Sequence, residues 1–236
     1  MSGWARKRFW KEAWAEQEGD SWLVKLDGRA VKTPAKAPLA LPTPGLAEAV
    51  VAEWQAQEGE LDPLSMPVTR SANAAIDKVA HQHGEVAEMI ADYGGSDLLC
   101  YRATQPEALI ARQAEAWDPL LDWAAETLKA RLHPVSGVMF APQDEAALKN
   151  LRQRVHDLTN FELAAFHDLV GLSGSLVLGF AAVHGHLPVA DLWRLSRLDE
   201  DWQAEQWGAD EEAEAQAKAK QEAFFHADRF FRMSRK

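Results

Sequence analysis

The sequence predicts an α+β chain: a small antiparallel β-rich N-terminal domain followed by a larger all-helical C-terminal domain. Three observations carry this. Two short runs of strand formers flank Asp27-Gly28, a two-residue signal for a tight hairpin turn. Prolines at 63 and 67 mark an extended connector from Asp62 to Val68. Beyond Thr69 the apolar residues recur at helical rather than strand spacing.

The strands are read over Ser21–Leu26 and Arg29–Thr33, with a preceding strand over Arg8–Ala15 and a short edge strand at Leu39–Leu41 between prolines. Thr43-Pro44 then opens a helix, threonine as N-cap and proline in the first turn. Leu46, Val50 and Trp54 form its apolar stripe, and Gly59 ends it. The connector sets the domain limits at 1–68 and 69–236. Further helices are expected over Ser71–His83, Glu85–Asp92, Pro106–Leu132, Asp144–Leu158, Glu162–Leu172, Ser175–His184, Val189–Trp207 and Asp210–Arg232. Pro119 should kink or restart its helix.

Composition narrows the function. The 236 residues carry a formal net charge of −11, which disfavours a phosphate-tracking nucleic-acid binder and attraction to an anionic membrane. Leu169–Val183 is fifteen residues without a charge, short of the ~18 of a membrane span, so a buried core helix is expected. Met1–Lys11 has no apolar run, and Glu12, Glu16 and Glu18 follow at once, so no leader is expected. The one cysteine, Cys100, has no intrachain partner, which suits a reducing compartment.

The search for catalysis returns little. Neither phosphate-binding glycine pattern occurs. Gly171-Leu-Ser-Gly-Ser175 falls one glycine short of a nucleophile elbow, and no strand precedes it. Gly171, Ser175 and Gly179 instead recur every four residues, a small-residue stripe for close helix packing. His81, His83, His184 and His186 lack the helical spacing of metal ligands. No catalytic residue, metal or cofactor is expected.

Asp199–Glu214 stands out. Eight of its sixteen residues are acidic and none is basic, with Trp202 and Trp207-Gly208 interleaved. One reading is a solvated acidic face with helix-end charges. The other is a protein-docking segment, because tryptophan buries a large rigid surface at low entropic cost.

A wider pattern joins these pieces. The stretches are Leu26-Asp-Gly-Arg-Ala-Val-Lys-Thr-Pro34, Leu39–Pro42, Glu53-Trp54-Gln-Ala-Gln57 and Met66–Asp77. They continue in Asp97-Leu-Leu-Cys-Tyr-Arg102, Trp117-Asp-Pro-Leu-Leu-Asp-Trp123 and Leu198–Ala213. In this order the chain resembles the ATP synthase F1 assembly chaperones whose client is the alpha subunit.

The resemblance implies a holdase that binds free F1-ATPase alpha subunit, prevents its aggregation and delivers it to the beta subunit. It also implies a cytoplasmic bacterial relative of proteins that eukaryotes keep in the mitochondrial matrix. The residues expected to meet the client are Glu205, Trp207, Gly208, Glu211, Glu212 and Trp202, with Trp54 as a second candidate. A helical module for another protein partner, using the same acidic Trp-Gly segment, is the alternative. A hydrolase built on Ser173 or Ser175 is a third reading.

Overall fold

The computed structural model describes residues 7–235, and they form a small N-terminal antiparallel sheet followed by a larger helical region. Residues 1–6, part of the segment weighed above for a leader, lie outside the described residues. Two compact units emerge among the described residues: 7–83 with 159–165 and 229–235, and 84–158 with 166–228.

In the first unit the strands are β1 (Ala13–Glu18), β2 (Ser21–Leu26), β3 (Arg29–Ala30) and β4 (Ala40–Leu41). β2 is central, pairing β1 on one side and both β3 and β4 on the other, all antiparallel. At the second turn Asp27 and Gly28 both hold positive φ, 46° and 86°, the conformation whose twist matches the flanking strands. The Asp27 carboxylate accepts the N–H groups of Lys11 and Glu12, which hold its pKa below the ordinary value.

The strand expected over Arg8–Ala15 runs instead over Ala13–Glu18. Gly19, at φ 61°, lets a two-residue turn place Glu18 opposite Ser21 and so sets the register. Upstream, Arg8 leaves the ladder to donate to the carbonyls of Gln55 and Gln57.

Helix α1 (Pro44–Gln55) starts as its cap requires, the Thr43 hydroxyl accepting from Leu46 N. It buries Leu46 and Val50 and packs on β1 and β2. It ends at Gln55, four residues before Gly59, where buried Gln57 turns the chain by donating to Glu53 O and Ser65 Oγ. Helix α2 (Pro67–Asp77) begins before the expected Ser71 because Glu53 caps it from outside. That carboxylate accepts Val68 N, Thr69 N and the Thr69 hydroxyl at 2.6–2.8 Å.

The second unit is built mainly from α3 (His83–Ala91), α4 (Glu107–Trp123), α5 (Glu145–His156), α6 (Asn160–Ser173), α7 (Leu176–Val183), α8 (Val189–Ser196), α9 (Leu198–Trp207) and α10 (Glu211–Ser234); α6 and α10 also lend residues to the first. A two-residue parallel ladder joins β5 (Tyr101–Arg102) to β6 (Val135–Ser136), a pairing too short to leave a periodic signal. Helix α4 runs through Pro119 without restarting and gives way to a π turn at Ala124–Leu128.

The apolar run is largely buried but is not one helix. Gly174, at φ 71°, breaks it, and Ser175 caps α7 by accepting Leu178 N. Of the three small residues, Gly179 is the one in close approach: a Cβ there would lie 2.7 Å from Val170 Cγ2. Gly171 faces open space. Among the described residues no helix is long and apolar enough to cross a membrane. The helix expected over Val189–Trp207 is two helices, α8 and α9, because Arg197 departs from helical geometry at φ −107°, ψ 8°.

Candidate protein-docking site

The acidic Trp-Gly segment forms α9, the following turn and the start of α10. Asp199, Glu200 and Asp201 lie in the first turn of α9, where carboxylates complement the helix dipole. Leu198 is its one buried residue, so packing alone does not hold this helix. Polar side chains of α4 supply the rest. Arg112 makes a two-pronged ion pair with Glu205, at 2.6 and 2.9 Å, and its guanidinium lies 5.7 Å from the Trp202 ring centre. The pairing lowers the Glu205 pKa and raises that of Arg112.

One residue on, buried Gln113 donates to Asp199 Oδ1 at 2.7 Å and accepts Ala103 N at 2.8 Å. One amide therefore ties the start of α9 to the link between β5 and α4. Behind them, fully buried Trp117 donates from Nε1 to Leu195 O in α8. Arg102 stacks 5.3 Å from the Trp117 ring and pairs with Asp118 at 2.8 Å.

At the far end of α9 the side chains turn to solvent. Trp207 is 87% exposed, against 36% for Trp14, the next most exposed tryptophan among the described residues. Gly208 follows at φ 91°, ψ 154°, backbone that glycine adopts without strain. Asp210 caps α10 by accepting Ala213 N, and Glu211 and Glu212 are exposed in its first turn.

The expected residues thus separate by role. Glu205 and Trp202 engage Arg112, whereas Trp207, Glu211 and Glu212 are exposed around the Gly208 turn. Trp54 belongs to the first unit, its ring 5.2 Å from that of Trp10. Arg112 and Gln113 escaped the sequence reading, since their partners lie 93 and 86 residues away and no local pattern announces them.

The serines weighed for hydrolysis are structural. Ser173 is 4% exposed and donates to Leu169 O. Ser175 is fully buried and donates to Asp97 Oδ1 at 2.7 Å, while Asp97 also accepts Leu99 N and Val177 N. His184 and His186 pack on Trp123, ring centres 5.7 and 4.7 Å away. Among the described residues no three His, Cys, Asp or Glu are grouped to hold a metal.

The model of the family described as ATP12 chaperone protein matches residues 7–125. The chain belongs to the ATP12 chaperone family. Its fold is shared with Atp12 from Paracoccus denitrificans, 51% identical, at a TM-score of 0.96 over 99% of this chain and 100% of that one. A crystallised protein of Agrobacterium tumefaciens is 41% identical with a TM-score of 0.91, over 97% of this chain and 86% of that one. The mitochondrial protein atp12 of Schizosaccharomyces pombe is 24% identical over 220 residues, 88% of this chain and 75% of that protein. Membership agrees with the resemblance to ATP synthase assembly chaperones read from the ordered stretches.

Proposed function

We propose that this ATP12-family chaperone binds the free F1-ATPase alpha subunit, prevents its aggregation and delivers it for assembly with the beta subunit. It acts by binding alone, without nucleotide, metal or catalytic step, in the bacterial cytoplasm. The observation that carries the docking site is Trp207. A ring 87% exposed at the end of a helix, beside the Gly208 turn and amid carboxylates, leaves apolar surface in water that a partner covers.

In this reading the two faces of α9 divide the work. The Arg112–Glu205 pair and the Gln113–Asp199 bond set the helix in place, and Trp207, Gly208, Glu211 and Glu212 meet the client. The acidic surround confers partner choice, because wrong partners with like charge are repelled.

The test is suppression of light scattering by unfolding alpha subunit at equimolar chaperone, with and without ATP. Suppression independent of ATP is the expected result, and undiminished scattering removes the reading. A pull-down that recovers a protein other than an ATP synthase subunit would favour the alternative, a helical module for another partner.

A further inference from the structure

β1 is the outer strand of its sheet, and its backbone alternates in what it faces. The Glu12 carbonyl accepts Asp27 N at 3.1 Å, so even-numbered residues from 12 to 18 turn their peptide groups toward β2 and odd-numbered ones turn outward. Gln55 of α1 stands at one end of the outward row. Its Nε2 donates to Lys11 O at 3.3 Å and its Oε1 accepts Ala13 N at 3.0 Å. A single side-chain amide thus supplies the donor and the acceptor that an adjoining strand would bring.

Beyond Gln55 the row is open. The outward N–H groups of Ala15 and Gln17 have no hydrogen-bond partner among the described residues. β1 contains neither proline nor lysine, the residues that commonly guard an exposed edge.

Charge indicates which chain suits this edge. Glu16 and Glu18 share one cation, Lys25 of β2, at 2.7 and 3.0 Å, and Glu12 precedes them. Antiparallel pairing with a second copy would set carboxylates against carboxylates, which opposes self-association. An extended segment carrying lysine or arginine is complementary.

We propose that the outer edge of β1 captures an extended, cation-bearing segment of the client by strand addition, continuing the row that Gln55 begins. The proposal rests on the reading of the client as unassembled alpha subunit.

Amide hydrogen exchange on the full chain, alone and with alpha subunit, tests it. The Ala15 and Gln17 amides should exchange freely in the chaperone alone and slow by about tenfold or more in the complex. Ala15→Pro removes an outward donor and no bond to β2. It should weaken capture by about tenfold or more while the circular dichroism and Tm stay unchanged.

Captured client with unchanged exchange at both amides overturns the proposal, as does protection already present in the chaperone alone through self-pairing. If Ala15→Pro does not fold, exchange in the natural chain decides. Failure of the natural chain to capture alpha subunit at all is a different result, and it removes the functional reading along with this one.

Discussion

Arg112 of α4 holds Glu205 of α9 through two bonds at 2.6 and 2.9 Å, across 93 residues of sequence. With Leu198 the single buried residue of α9, this pair and the neighbouring Gln113–Asp199 bond are what orient the helix that ends in Trp207. Under the proposed function Glu205 therefore acts on client capture by positioning. Glu205→Lys and Arg112→Glu should each weaken capture, and the double exchange Arg112→Glu/Glu205→Arg should recover most of it. Titration calorimetry with alpha subunit measures this, and absence of recovery would mean that Glu205 touches the client itself.

The same pair fixes a pH response. Arg112 lowers the Glu205 pKa in the folded chain, so its contribution is complete above the unfolded-state value of about 4.3. It is lost only as the pH falls through the lower, folded value. Capture should not decline between pH 7 and 5 through this group, which fluorescence anisotropy across that range checks.

Trp207 contributes almost nothing to its own fold. Trp207→Ala should change stability by no more than about 0.5 kcal/mol, while truncating a docking anchor should cost about 2 kcal/mol or more of binding, roughly thirtyfold in Kd. Thermal melts and binding isotherms of the same sample separate the two quantities. Equal affinity of variant and parent would place the anchor elsewhere.

Gly179 makes the opposite kind of prediction. A methyl group there meets Val170 Cγ2 at 2.7 Å and Phe166 at 3.1 Å, both fully buried side chains. Gly179→Ala should destabilise by about 1–3 kcal/mol through overpacking. Gly171→Ala, at a position with open space, should be neutral or slightly stabilising because alanine favours helix. Urea titrations of the two variants provide the comparison.

Cys100 is buried, and burial beside Asp97 pushes its thiol up to about 12. The thiolate is the reactive form, so a disulfide reagent at pH 8 should leave the native chain unmodified. It should modify the chain stoichiometrically in denaturant. Rapid native labelling would mean that the segment around β5 opens readily.

Local chemistry made much of this protein legible. Asp27-Gly28 identified the hairpin, the run of strand formers beside it identified β2 over Ser21–Leu26, and Thr43-Pro44 located the start of α1, because each signal is complete within a few residues. The ordered stretches also carried the family, and the acidic Trp-Gly segment was visible as composition. Tertiary structure decided what composition could not: that Arg112 takes Glu205, that Gln113 takes Asp199, and that the helix breaks at Arg197. These depend on partners about ninety residues apart or on irregular backbone, for which periodicity has no signal. The fate of the tryptophans was settled the same way. Trp117 is fully buried and Trp207 is 87% exposed, although both occupy helices, because exposure depends on which elements pack against the ring and not on the residues beside it in the chain.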